Sequence, residues 1–363
     1  MKKNKNYVDL KDQPVPEGQH LLEVDDLKMY FHTEDGVVRA VDGVSYTLDR
    51  GETLGVVGES GSGKSVTAMT IMGLISMPPG KIEGGDVRYR GRSILEMTEE
   101  EMQHIRGNDI AMIFQDPMTS LNPVYKIGKQ VGEGLRLHRG YSKQEALKRA
   151  TELLDLVGIP EPEKRVNEYP HQFSGGMRQR VMIAMALACD PDILIADEPT
   201  TALDVTIQAQ IIELMQEMQE KNGNAIIMIT HDLGVVADMA DKIMVMYAGR
   251  PVEFGTAEEI FYESRHPYTW GLIRSIPEQA IEEKKPLTPI HGNPPSLMNL
   301  PEGCVFSPRC PYATDKCRKQ RPERVVTESS HYSACHYSGD PEFLKNAPET
   351  SRTRKDSKKG GEA

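Results

Sequence analysis

The octapeptide Gly58-Glu-Ser-Gly-Ser-Gly63-Lys64-Ser65 stands between an apolar run, Leu54–Val57, and a stretch with helical character, KSVTAMTIMGL. A G-x-x-x-x-G-K-S/T segment in that setting constrains the chain more than any other feature. A strand must end, the backbone must reverse, and a helix must begin within one short turn, which is the first half of a βα unit. The physics of the turn also indicates its ligand. Gly58, Ser60, Gly61, Ser62 and Gly63 let successive backbone N–H groups face an anion, and the helix N-terminus adds its dipole. Lys64 then reaches the β- and γ-phosphates of a nucleoside triphosphate, and the Ser65 hydroxyl is a ligand for Mg²⁺.

Hydrolysis needs an acid for the metal and a group that orients water. Both occur in DILIADE, where Asp197 and Glu198 end an apolar strand: Asp197 for the Mg²⁺ shell, Glu198 for the water. QAQIIELMQEMQEK reads as an amphipathic helix and NAIIMITH as a second buried strand, which makes a βαβ unit. Leu21–Met29 and Val37–Leu48 alternate apolar and polar residues, the pattern of half-buried antiparallel strands. In SKQEALKRATELLDLVG, residues Ala146, Leu147, Ala150, Leu153, Leu154 and Val157 fall on one helix face. Ser142 and Glu145 form its capping box and Gly158 its stop. Ser174-Gly175-Gly176 opens another helix and is a second anion cradle. One γ-phosphate does not need two cradles in one chain; a head-to-tail dimer does.

These parts, in this order, resemble the ATP-binding cassette (ABC) ATPases over about residues 21–260. The resemblance implies an α/β fold of the P-loop NTPase kind. A RecA-like core sheet carries an antiparallel β subdomain and a helical subdomain at about 116–190. It implies ATP and Mg²⁺ as ligands and further roles by position. Gln115 in IFQDP senses Mg²⁺ and the γ-phosphate, Ser174–Gly176 is the signature loop, Asp204 in Thr201–Asp204 links the two sites of the dimer, and His231 contacts the γ-phosphate. Phe31 is the aromatic for the adenine, with Tyr30 as the neighbouring candidate. The signature reads FSGGM where LSGGQ is commoner, so Met177 is a departure from the family pattern.

No transmembrane stretch is fused to this cassette: the apolar runs, such as Val181–Cys189, are too short to span a bilayer. The net charge of −11 argues against nucleic acid as a partner. HPYTWGLIRSIP (266–277), GNPPSL (292–297) and GCVFSPRC (303–310) narrow the resemblance to ATP-binding subunits of bacterial oligopeptide and dipeptide importers, over about residues 21–336. That implies a second cassette subunit, identical or related, and two permease subunits. It also implies an extracytoplasmic peptide-binding protein acting at a distance, and a peripheral position on the cytoplasmic face of the membrane. Uptake of nickel or another small solute is the alternative within this class, and a soluble, non-transport cassette ATPase the alternative outside it. The expected divisions are a loose polar arm (1–20), the nucleotide-binding domain (21–262), a small loop-rich C-terminal domain (263–338) and a disordered tail (339–363).

Four of the five cysteines, Cys304, Cys310, Cys317 and Cys335, crowd into that C-terminal domain. Their wide spacing is unlike the C-x2-C pairs of short zinc ribbons. Four thiolates on a proline-rich frame can hold a 4Fe–4S cluster, which the importer resemblance implies; zinc and free packed thiols are the alternatives. His291, His331 and His336 lie nearby in sequence. Cys189, on the helix after the signature loop, reads as a small buried hydrophobe.

Overall fold

A computed structural model describes residues 10–116, 120–199, 205–237, 239–276, 289–327 and 331–348. Two antiparallel strands open the chain, β1 (Leu22–Thr33) and β2 (Gly36–Leu48), and β3 (Thr53–Val57) leads into α1 (Lys64–Ile71). After β4 (Gly80–Tyr89) and β5 (Arg92–Ser93) come α2 (Glu99–Ile105) and β6 (Ile110–Ile113). A helical segment follows, with α3 (Ile127–His138), α4 (Lys143–Leu156) and α5 (Gly175–Leu187). The βαβ unit is β7 (Ile193–Asp197), α6 (Val205–Asn222) and β8 (Ala225–Thr230). Then come α7 (Leu233–Ala237), β9 (Lys242–Tyr247), β10 (Arg250–Thr256), α8 (Ala257–Tyr262), α9 (Pro267–Arg274), β11 (Val325–Val326) and β12 (Tyr332–Ser333).

The strands form two sheets. One is antiparallel, in the order β2-β1-β4-β5; the other runs β11-β12-β10-β9-β3-β8-β7-β6. In the second, β9, β3, β8, β7 and β6 are parallel, with Val57 paired to Thr230 and Val245, and β10 joins antiparallel to β9. β3 is interior and wholly buried, so the chain leaves it at the carboxyl edge of the sheet, where ligands of such sheets bind. Side-chain alternation divides two cores. Ile193, Ile195, Ile227 and Ile229 face the antiparallel sheet, whereas Leu194, Ala196, Ile226 and Met228 face the helices.

The expected capping box on α4 forms, with Glu145 N–H donating to Ser142 Oγ and Ser142 N–H to Glu145. Ala146, Ala150, Leu153, Leu154 and Val157 are buried as expected, but Leu147 is 39% exposed. It sits at the rim of the face and leans on α3 where Gly128 leaves room; a Cβ there would lie 2.7 Å from Leu147 Cδ1.

Two expectations at the ends are corrected. The arm is not loose from Leu10 onward: Leu10 is buried, and Lys11 Nζ donates to the carbonyls of Asn108, Cys189 and Asp190. The carbonyls of Cys189 and Asp190 lie beyond the C-terminus of α5, where a cation is favoured. Nor does disorder begin at 339. Asp340 caps the turn Pro341–Leu344, and the ring of Phe343 lies 5.3 Å from that of Trp270 and 5.4 Å from that of Tyr337. One aromatic residue in an otherwise polar stretch anchors it. Residues 349–363 lie outside the described residues.

The segment after α8 is joined to the cassette by backbone and core alike. β12 pairs with β10, and Tyr268, Ile273, Val305 and Phe306 belong to the core that contains Val57 and Val245. Glu253, fully buried on β10, accepts from the N–H groups of Arg265 and His266 and pairs with His331 at 3.0 Å. His331 is therefore committed to a carboxylate.

Candidate nucleotide site

The turn after β3 has the shape a phosphate cradle needs. Gly58 (φ 152°) and Gly63 (φ 101°) use backbone that favours glycine. A Cβ on either would meet a carbonyl oxygen, that of Met246 at 2.2 Å or that of Ala40 at 2.3 Å. The Ser62 hydroxyl is buried without a hydrogen-bond partner among the described residues, a polar group that a bound oxyanion would satisfy. Lys64 is 5% exposed and donates to the carbonyls of Gly58 (2.7 Å) and Glu59 (3.0 Å). Burial holds its pKa below the ordinary lysine value, while Glu198, Asp197 and Glu59 pull it back up.

Next to α1 stands the end of β7. Ser65 Oγ donates to Asp197 Oδ1 at 3.0 Å, which brings together two hard oxygen ligands of the kind Mg²⁺ takes. Burial raises the pKa of Asp197, helped by Glu198, so a divalent cation there would relieve an unfavourable charge. Glu198 is a non-glycine residue in the left-handed region (φ 48°), and its N–H donates to the Ile229 carbonyl at 2.9 Å. Gln115 Nε2 donates to Glu198 Oε2 (2.9 Å), and His231 Nδ1 lies 3.3 Å from Glu198 Oε1. Lys64, Ser65, Gln115, Asp197, Glu198 and His231 thus converge, from four separate stretches of chain.

Ser174, Gly175 and Gly176 stand elsewhere, at the N-terminus of α5. The Ser174 side chain accepts from the Met177 N–H, and Ser174 and Gly175 are exposed. Met177 packs partly buried against the helical core, so the departure from the usual signature is absorbed as packing. Phe31 and Tyr30 point to opposite faces of β1. The Tyr30 hydroxyl is committed to Asp42 at 3.0 Å, whereas Phe31 is half-buried without such a bond. Asp204 lies outside the described residues.

Sequence reasoning missed a set of residues that hold the cradle from the C-terminal side. Arg309 makes a two-pronged bond to Glu59, Nη1 to Oε2 at 2.5 Å and Nη2 to Oε1 at 3.0 Å. The Tyr268 hydroxyl accepts the Glu59 N–H at 2.8 Å. Arg309 and Glu59 are 250 positions apart, and no local pattern joins them.

Cys304, Cys310, Cys317 and Cys335 do come together, lining one cavity with His266, Phe306 and His336. Burial pushes the thiol of Cys310 up to about 11 and that of Cys335 up to about 12, so as bare thiols they are neutral. Among the described residues no group of three or more His, Cys, Asp or Glu side chains is placed to hold a metal ion. The expected metal site is therefore not shown. Cys189 is 1% exposed, as expected.

Residues 41–201 match the ABC transporter family, and residues 252–317 match the C-terminal region of oligopeptide/dipeptide transporters. The chain is 58% identical to the oligopeptide transport ATP-binding protein OppD of Bacillus subtilis over 312 residues, 86% of this chain and 87% of that protein. It is 52% identical to the dipeptide transport ATP-binding protein DppD of Escherichia coli over 317 residues, 87% of this chain and 96% of that one. The chain belongs to the family of peptide-transport ABC ATP-binding proteins. The cassette fold agrees with solved structures. A dimeric, post-hydrolysis form of the ATP-binding cassette MJ0796 bound to ADP and Pi superposes with a TM-score of 0.60 at 29% identity, covering 65% of this chain and 98% of that one. Among the described residues no helix is long and apolar enough to cross a membrane.

Proposed function

We propose that this chain is the ATP-hydrolysing subunit that energises import of oligopeptides or dipeptides through separate permease subunits. The observation that carries the reading is the convergence of Lys64, Ser65, Asp197, Glu198, Gln115 and His231 at the sheet edge, in a chain whose relatives are transport ATP-binding proteins.

In this reading Gly58–Ser65 cradles the triphosphate, Phe31 stacks on the adenine, and Ser65, Asp197 and Gln115 face Mg²⁺. Glu198 polarises the attacking water, with Gln115 and His231 fixing its carboxylate. Ser174–Gly176 and Asp204 serve the site of a second cassette subunit. The exposure of Ser174 and Gly175, and the dimeric cassette neighbour, support that assignment. Closure and reopening of the dimer drive two permease subunits at the cytoplasmic face of the membrane, with an extracytoplasmic binding protein delivering peptide.

We also keep the 4Fe–4S cluster as a proposal. Its support is the donor set: four cysteines around one cavity, with backbone N–H groups of Phe306, Ser307, Tyr312 and Tyr337 bonded to the sulfurs of Cys304, Cys310 and Cys335. Such bonds stabilise thiolate ligands. The cluster would pin the C-terminal region in place. The direct experiment for the ATPase is Glu198→Gln, which should bind MgATP and fail to turn it over; rapid hydrolysis by that variant sinks the assignment.

A further inference from the structure

A phosphate loop binds through backbone N–H groups, the lysine and the hydroxyl, so the residue after its first glycine has no need to be an acid. Here it is Glu59, and every polar group it carries is held. Its carbonyl accepts from Lys64 Nζ and from the Ser62 N–H (3.2 Å), its N–H is taken by Tyr268, and its carboxylate by Arg309. The last two partners come from the peptide-transporter C-terminal region, not from the cassette.

Arg309 is built into place. Its side chain is 4% exposed, and it donates to the carbonyls of His291 (2.9 Å) and Ile290 (3.1 Å) and to the Tyr247 hydroxyl (3.3 Å) as well as to Glu59. It sits in a tight turn in which the N–H groups of Arg309 and Cys310 both donate to Phe306 at 3.0 Å. Phe306 packs against Tyr247 (5.2 Å) and Tyr268 (5.3 Å) and also lines the cysteine cavity.

We propose that Arg309 and Tyr268 are positioning residues for the phosphate loop, through which the cysteine-bearing region sets how tightly the chain holds MgATP. The inference rests on the ATPase reading above. Its physical content is charge and register. A carboxylate beside the cradle repels a polyanion unless it is neutralised, and the guanidinium fork of Arg309 neutralises it in one fixed geometry. Tyr268 fixes the backbone at the same residue. Because neither touches Asp197 or Glu198, their loss should act on nucleotide affinity and KM and leave kcat nearly unchanged.

The test measures MgATP affinity by displacement of a fluorescent nucleotide from the full chain, with steady-state hydrolysis and a melting curve for each variant. Arg309→Met should weaken MgATP about tenfold, the scale of one lost charge-assisted fork, with kcat within about threefold of wild type. Glu59→Gln combined with Arg309→Met should recover most of that affinity, because the repelling charge is gone; a merely structural role gives no such rescue. If Arg309→Met does not fold, Tyr268→Phe decides, with affinity about threefold weaker expected. Wild-type affinity in folded Arg309→Met, or in Tyr268→Phe where that variant decides, overturns the proposal. So does a double variant no better than the single. Wild-type protein that binds no MgATP would instead overturn the ATPase reading itself, and this inference with it.

Discussion

At the scale of single residues, Glu198, the proposed catalytic base, sits in strained backbone. A non-glycine residue at φ 48° is held there by its N–H bond to Ile229 and by Gln115 and His231 on its carboxylate. Glu198→Gln keeps size and neighbours and removes the proposed base. Phosphate release should fall by about a hundredfold or more while nucleotide binding persists. Lys64, Ser65, Asp197 and Glu198 were legible in the sequence because each lies in a short contiguous stretch bounded by a strand, where spacing fixes geometry. Arg309 and Tyr268 were not, because their partner Glu59 is brought to them only by the folding of two distant segments, and a lone arginine between a proline and a cysteine has no pattern.

At the scale of elements, α9 is the piece that presents Tyr268 to the phosphate loop, and its N-cap is a histidine. His266 is 1% exposed, and its Nδ1 accepts the Tyr268 N–H at 3.1 Å, which only the unprotonated nitrogen can do. Burial lowers its pKa from 6.5 to about 4. The folded state thus prefers the neutral ring. Its contribution is full above pH 6.5 and is lost as pH falls from there toward 4, amounting to about 3 kcal/mol. Trp270, the single tryptophan, is buried on the same helix and reports it by fluorescence. In acid titrations followed by that signal, His266→Asn should flatten the loss between pH 6.5 and 4; an unchanged acid profile would contradict the assignment. Trp270 also donates to the Ser264 carbonyl at 2.9 Å and packs against Phe343, so Trp270→Ala should cost about 3–5 kcal/mol in denaturant unfolding.

Element boundaries were mostly readable here. The period-2 runs became β1 and β2, the apolar runs became β7 and β8, and the capping box opened α4. Leu147 shows the limit, since periodicity gives a face and not its edge. The cysteine region, which has little periodicity, was readable only as a donor set. If that set holds a cluster, protein purified without oxygen should carry iron and acid-labile sulfide and absorb visible light. Cys317→Ser should then lose both iron and colour. A colourless, iron-free wild-type protein would leave the four thiols as packing.

At the scale of the molecule, the C-terminal region extends the cassette sheet through β12 and shares its core, so it is continuous with the ATPase in structure. The sequence marked this region by a change of texture after Tyr262, but the β10–β12 pairing and the burial of Glu253 with His331 join residues some eighty positions apart and left no local trace. In the proposed dimer the Ser174–Gly176 loop, exposed at Ser174 and Gly175, serves the site of a second cassette subunit. With hydrolysis blocked by Glu198→Gln, MgATP should shift the chain, or the chain and its partner cassette, from monomer to dimer in sedimentation, and nucleotide-free protein should stay apart. ATP turnover at this site drives peptide uptake in the proposed function. The most direct measurement is peptide accumulation in vesicles reconstituted with the permease subunits, the second cassette and the binding protein, using wild-type chain or Glu198→Gln. MgATP-dependent uptake is expected with the wild type, and its abolition by Glu198→Gln in an assembly that still binds MgATP. If this chain and its partner cassette both keep active sites, undiminished uptake with Glu198→Gln in both would contradict it, as would wild-type assemblies that hydrolyse ATP and move no peptide.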